Sequence, residues 1–198
     1  MKCLILLLVL MIQTAPAAAV LDSDPDQIGF YFDPVADTVN RETPPTDTFW
    51  VYLILTNPSE PALTDYWMAY RLGYPDGMGD QVYRISLHHA TGGIVVGPDE
   101  LGVLSGDGWI AFNPPLPTAT ATILQTWTCF ILGQIPVEWY IQPTTLFGDG
   151  QPVYSSQEGP VPMYPMSGSF DEPVARANGD PVVATERSTF GTLKALYR

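Results

Sequence analysis

Apolar positions along most of this chain recur with the period of strands rather than helices. The longest unbroken run of strand formers is Thr48 to Asn57, Thr-Phe-Trp-Val-Tyr-Leu-Ile-Leu-Thr-Asn, and Pro58-Ser59 stops it. Phe49, Val51, Leu53 and Leu55 fall on one face; Trp50, Tyr52 and Ile54 fall on the other. A strand that is apolar on both faces is expected at the centre of a sheet, with something packed over each side.

The remaining segments follow the same rule. Ile28 to Asp33 alternates Ile28, Phe30 and Phe32 against Gly29 and Tyr31. Asp65 to Tyr74 puts Tyr66, Met68, Tyr70 and Leu72 on one face, with Trp67 and Arg71 opposite. Pro75-Asp76-Gly77 is a turn, since proline presets φ and glycine supplies a positive φ. Gln81 to His88 is a strand with Val82, Ile85 and Leu87 as its apolar residues, and Gly92-Gly93 separates it from Ile94-Val95-Val96. Trp109 to Phe112 is brief and ends at Pro114-Pro115. Thr122 to Gly133 is the second long strand, with Ile123, Trp127, Cys129 and Ile131 on one face and Leu124, Phe130 and Leu132 on the other. Val137 to Gln142 is expected to pair with it across Gly133 to Pro136. Gly148-Asp149-Gly150 is a tight turn. The proline-rich Val153-Tyr154 and Val161 to Met166 suit edge strands, because proline cannot donate to a ladder. Pro34 to Asp47, Pro98 to Gly108 and Asp171 to Pro181 read as loops.

Roughly eight to ten short strands with turn signals between them predict an all-β fold, an antiparallel immunoglobulin-like sandwich, with a closed barrel as the alternative. One sandwich domain is expected over 28–184. The period then changes. Ser188 or Thr189 can cap a short C-terminal helix running to Tyr197, with Phe190, Leu193, Leu196 and Tyr197 on its apolar side and Lys194 and Arg198 near its end. So short a helix is marginal alone, so the tail 185–198 is expected to dock on its own domain or on a partner.

The first residues carry a different signal. Lys2 is a short positive region, Cys3 to Ile12 is uninterruptedly apolar, and Ala15-Pro16-Ala17 and Ala17-Ala18-Ala19 offer small residues for cleavage. This predicts a secretory signal peptide over 1–19, followed by an acidic leader over 20–27, and a protein secreted, periplasmic or at the cell surface. Roughly 178 residues then remain, enough for one sizeable core. The whole chain holds 8 basic and 21 acidic residues; removing Lys2 leaves 7 against 21, a net charge of −14. Such a surface repels nucleic acid and anionic membrane, and suits solubility or a polyvalent cation. With Cys3 gone, Cys129 has no partner for an internal disulfide, and its apolar strand makes a buried thiol the expectation.

Catalytic motifs are absent from the sequence. His88 and His89 are adjacent, so in a strand they point to opposite faces and cannot hold one metal together. Asp22, Asp24 and Asp26, with Asp33 in the twelfth position, imitate a calcium loop, but Gln27 stands where glycine is needed and the twelfth residue is not glutamate. No cofactor is expected; calcium on the loop carboxylates Asp76, Asp80, Asp107 and Asp149 is the one cation the acidic loops suit. A carboxylate pair for glycoside hydrolysis leaves no fixed spacing, so a small secreted hydrolase stands as the alternative. The aromatics say more. Tyr66, Trp67, Tyr70 and Arg71, or Trp139 and Tyr140, could form a platform for sugar rings or a protein; the competing reading is that they fill the core.

Three stretches carry a resemblance: Ile28-Gly-Phe-Tyr-Phe-Asp33, Tyr52-Leu-Ile-Leu-Thr-Asn-Pro-Ser59, and Ser188-Thr-Phe-Gly-Thr-Leu-Lys-Ala-Leu-Tyr-Arg198. The chain resembles uncharacterised exported proteins of environmental bacteria that have one cohesin-like or immunoglobulin-like sandwich and a short terminal Lys-x-Leu-Tyr-Arg motif. The resemblance implies fold and export, and no reaction. The sequence-based expectation is thus a non-catalytic module that binds a polysaccharide or an extracellular protein, or builds the envelope. A further reading makes Phe190 to Arg198 an assembly or localisation signal.

Overall fold

The computed structural model describes residues 24–96, 104–145 and 149–180. Thirteen strands form two sheets packed face to face. In chain order they are β1 (Gln27–Tyr31), β2 (Asn40–Arg41), β3 (Thr48–Thr56), β4 (Ala62–Gly73), β5 (Val82–His89), β6 (Gly93–Val95), β7 (Ser105–Pro117), β8 (Ala121–Ile131), β9 (Val137–Gln142), β10 (Val153–Ser155), β11 (Pro160–Pro162), β12 (Tyr164–Pro165) and β13 (Ala175–Ala177). The first sheet runs β12-β1-β3-β8-β5 and the second β11-β10-β4-β9-β13-β2, with β7 on the free side of β4 and β6 beyond β7. Most pairings are antiparallel; β1 with β12 and β13 with β2 are parallel.

The core lies where the inner faces meet. Phe30, Val51, Leu53, Trp127 and Ile131 from the first sheet meet Tyr66, Met68, Tyr70, Val137 and Trp139 from the second, all at most 2% exposed. Chains of edge-on rings link the layers: Trp139 stands against Phe32 at 5.5 Å, and Tyr70 against Trp127 at 4.8 Å.

The organising strand is central in its sheet, but only one of its faces is covered. Phe49 and Val51 are buried while Trp50 is 61% exposed. The sandwich has two layers, so an outward residue here meets no third layer. Ile54, further along the same outer side, is nevertheless 0% exposed, because it pairs with Gly29 of β1, against which Met166 lies. The register between β3 and β8 skips Leu124, a bulge that buries Leu124 beside the inward Gln125, at 0% exposure each, and leaves Ile123 only partly buried. The expected grouping of Ile123 with Trp127 therefore breaks at this bulge.

Four further expectations are corrected. Val137 to Gln142 does not pair with the strand before it: both sides of β8 are taken by β3 and β5, and β9 lies between β4 and β13 in the opposite sheet. The strand after the second loop is not brief. It begins at Ser105 and runs past Pro114-Pro115, because a register shift opposite Leu63 and Asp65 lets Asn113, Pro114 and Pro115 sit exposed and outside the ladder. Two segments read as loops each supply a short strand, β2 and β13, which pair with each other at the sheet margin. The acidic leader also ends earlier than expected. Gln27 opens β1, and Asp26 is 8% exposed with its Oδ1 accepting from the Ser59 amide at 2.8 Å and the Tyr154 hydroxyl at 2.7 Å. The C-terminal helix and its residues Phe190, Leu193, Leu196 and Tyr197 lie outside the described residues, as do the signal peptide and the first half of the leader.

Candidate functional site

Strand β4 decides which of the expected platform residues can be reached. Successive side chains alternate between the two faces, so Tyr66, Met68, Tyr70 and Leu72 enter the core while Trp67 and Arg71 face out. Tyr66 is fully buried, stacked on Phe112 at 5.9 Å, and its oxygen accepts from Gln125 Nε2 at 2.8 Å. Burial pushes its phenol well above the ordinary value. Tyr70 is 1% exposed, and its oxygen accepts from Arg84 Nη1 at 2.7 Å. Trp139 is 0% exposed between Phe32 and Phe49. These three aromatics are core residues and belong to no surface platform.

The other three come together on one face. Antiparallel register places Arg71 opposite Tyr140 of β9, and the guanidinium carbon sits 3.9 Å from the centre of the Tyr140 ring. On the other side of β4 the register places Trp67 opposite Trp109 of β7, and the two indoles stack at 5.1 Å with 25° between their planes. The outer face of the second sheet thus carries an aromatic and cationic row across three neighbouring strands. Tyr140 donates its hydroxyl to Glu138, which also takes the guanidinium of Arg176 on β13. Burial first, and then the bond to Glu138, raises the Tyr140 phenol above its ordinary value. Asp107, two residues before Trp109, accepts from Thr144 Oγ1 at 2.7 Å and from both the amide and hydroxyl of Thr145 at 2.6 Å. Those bonds hold the segment after β9 beside the row.

Trp109 was absent from the expected platform although it lies on a recognised strand. Its partnership with Trp67 depends on the β4–β7 register, which no local pattern specifies. The two aromatic sets of the sequence reading, around Trp67 and around Trp139-Tyr140, merge for the same reason: β4 and β9 are hydrogen-bonded neighbours.

Among the described residues the acidic groups do not assemble into a cation site. Among the described residues no cluster of three or more His, Cys, Asp and Glu could hold a metal. Asp107 is occupied as above, and Asp149 Oδ1 accepts from the Gln151 amide at 3.1 Å. An open cleft of about 530 Å³ lies at the margin of the second sheet, lined by Glu42, Pro136, Glu138, Arg176, Asn178, Gly179 and Asp180. It has no aromatic wall, and Glu138 inside it is paired with Arg176. The carboxylate pair and aromatic cleft that a glycosidase needs are not found together there.

No protein-family model matches this sequence, and no curated protein matches it. Solved structures do match. A type II cohesin domain from the cellulosome of Acetivibrio cellulolyticus superposes with a TM-score of 0.50 at 14% identity, over 82% of this chain and 100% of the cohesin. The type II cohesin dyad of the ScaA scaffoldin from the same organism gives 0.49 at 10% identity, over 78% of this chain and 49% of the dyad. The sixth cohesin of its scaffoldin B, solved with a Cel5 dockerin, gives 0.45 at 10% identity, over 78% and 98%. The chain has a cohesin-like β-sandwich fold.

Proposed function

We propose that this protein is an exported, non-catalytic binding module whose recognition surface is the outer face of the second sheet, with an extracellular protein as its partner. The observation that carries the reading is the row of Trp67, Trp109 and Arg71 on regular strands of one sheet, with the Arg71 guanidinium laid over the Tyr140 ring, itself 8% exposed. Tryptophan, tyrosine and arginine are the side chains that anchor protein interfaces, because each joins a large apolar surface to a polar handle. A regular sheet holds them rigid, so little ordering entropy opposes docking. The cohesin-like fold is consistent with this use, and the apolar run Cys3 to Ile12 supports export. Among the described residues no helix is long and apolar enough to cross a membrane.

The test is residue-specific. A photo-crosslinking amino acid replaces Ser105, exposed opposite Arg71 on the same sheet, in one sample and Thr126, on the opposite sheet, in another. Both are exposed to the secreted fraction of the source cells. A discrete protein adduct from position 105 alone is the expected result. A glycan adduct at that position would make the row a carbohydrate platform instead. Adducts at neither position, or equally at both, would remove the second sheet as the recognition face.

A further inference from the structure

The outer face of the first sheet is a separate surface, and its two halves differ. Next to β1 it is covered by its own chain. Tyr31 is 2% exposed, and a Cβ built on Gly29 would lie 2.8 Å from Met166 Cγ and Sδ. Across β3, β8 and β5 it is bare: Trp50 is 61% exposed and Tyr83 is 41% exposed. Antiparallel register sets the outward side chains of these strands in rows. Thr48 faces Phe130, and Phe130 faces Tyr83, the two rings stacked at 4.8 Å. In the adjoining row Trp50 faces Thr128, and Thr128 faces Ser86. The row beyond holds Tyr52, Thr126 and His88. Aromatic rings thus alternate with hydroxyl groups across the face.

The middle row combines a ring with a polar pair. Ser86 Oγ donates to Thr128 Oγ1 at 2.9 Å, which leaves the Thr128 proton to donate and the Ser86 lone pairs to accept. None of the outward side chains in these rows is a carboxylate, guanidinium or ammonium, in a chain with 8 basic and 21 acidic residues. A cation would give up water here with no carboxylate to replace it, and the field of the acidic body repels an anion. Size narrows the occupant further. Three strands about 4.8 Å apart and five residues at about 3.4 Å each give a flat footprint of roughly 240 Å². A stable protein interface takes about 800 Å² from each partner, so this face alone holds neither a second copy nor a folded protein. Addition of a strand is opposed as well. β5 is the edge of its sheet, but its ladder skips Ile85, which stands 61% exposed on the bulge, and a bulged edge does not template a further strand.

We propose that this face binds a neutral polysaccharide of equatorially linked sugar rings. Such a ring has a flat face of C–H bonds and hydroxyls projecting in its own plane. The C–H face lies on the Trp50 indole, whose π surface is large and negative. Hydroxyls at the ring edge bond to the Ser86–Thr128 pair, and the Tyr83–Phe130 stack in the adjoining row meets the next ring of the chain. The groups stand on regular strands, so little ordering entropy opposes binding. This inference concerns the sheet opposite the recognition row and does not depend on it.

Isothermal titration of the protein with the neutral hexamers cellohexaose, xylohexaose and mannohexaose tests it, with hexagalacturonate as the anionic counterpart. At least one neutral hexamer should bind, and hexagalacturonate should bind far more weakly. Trp50→Ala should weaken the neutral hexamer by about tenfold or more, and Trp50→Tyr should recover part of that loss. Thr128→Val, which keeps the shape and removes the hydroxyl, should weaken it several-fold. Trp67→Ala on the other sheet should leave it unchanged. Trp50 is exposed, so its variants should keep the melting temperature of the parent. No binding of any neutral hexamer, equal binding of hexagalacturonate, or a loss in Trp67→Ala in place of Trp50→Ala would overturn the proposal. So would a dimer in sedimentation that Trp50→Ala dissociates and the hexamers leave intact, which would assign the face to a second copy.

Discussion

Cys129 shows how far burial alone can set a residue's chemistry. The thiol is 2% exposed inside β8, and that burial pushes its pKa up to about 12, against a smaller opposing pull from Arg84. The thiolate is the reactive form. Native protein at pH 8 should therefore leave Cys129 unlabelled by a disulfide reagent over hours, with full labelling in denaturant. Tyr154 follows the same physics, its phenol raised to about 12 chiefly by burial. Both groups stay neutral in the fold and ionise near their ordinary values, 9.0 and 10.0, once unfolded. Their contribution to stability is whole below pH 9 and declines as pH climbs toward 12, because only the unfolded chain releases protons there. Denaturant midpoints measured from pH 7 to 11 should fall in that direction. Gln125 is the other residue to test. It donates to Tyr66 and accepts from Trp127 Nε1 at 2.8 Å each, both inside the core. Gln125→Leu strands two buried polar atoms and should cost about 1–3 kcal/mol for each, read as a shift in denaturant midpoint at constant m-value. Gln125 shares the parity of Trp127 and Cys129, so strand alternation aims it at the core although its side chain is polar.

At the scale of elements, the strands were legible and their neighbours were not. Alternation located β1, β3, β4, β5, β8 and β9 within a few residues, since each carries its own apolar face. Two- and three-residue strands such as β2 and β13 have no room for alternation, and they exist only because a neighbouring edge supplies hydrogen bonds. The recognition face is a property of three strands at once. Trp67→Ala removes one member of the Trp67–Trp109 stack at a half-buried position, so stability should drop by only about 1 kcal/mol while partner capture through position 105 is lost. Arg71→Lys keeps the charge but not the planar group over Tyr140, and should weaken capture more than it changes the melting temperature. The Asp26 junction behaves in the opposite way. Asp26→Ala removes acceptors for Ser59 and Tyr154 where β1 meets β10 and the turn after β3, so thermal stability should fall by about 2–4 kcal/mol with no effect on capture.

The whole molecule is an acidic body with two outer faces of unlike chemistry. Over the described residues, cations are Arg41, Arg71, Arg84 and Arg176 alone, and acids surround them. Self-repulsion of that charge opposes compaction and is screened by salt. The melting temperature should therefore rise as sodium chloride is increased from low to moderate concentration, before any specific ion effect. The second sheet presents the aromatic and cationic row, and the first presents an uncharged apolar patch.

What the sequence determined by itself was everything that depends on a residue's immediate neighbours along the chain. It specified strands and turns, the buried thiol, the acidic surface, the expectation of export and the all-β class. Even the inward set Tyr66, Met68, Tyr70 and Leu72 follows from period two alone. Tertiary structure decided the rest, because pairing register is a relation between distant segments. That register buries Trp139, joins Trp67 to Trp109 and Arg71 to Tyr140, and sends β9 across the sandwich away from β8. It also leaves Trp50 bare on a strand whose pattern asked for cover on both sides, since a two-layer fold can bury only one face of each sheet.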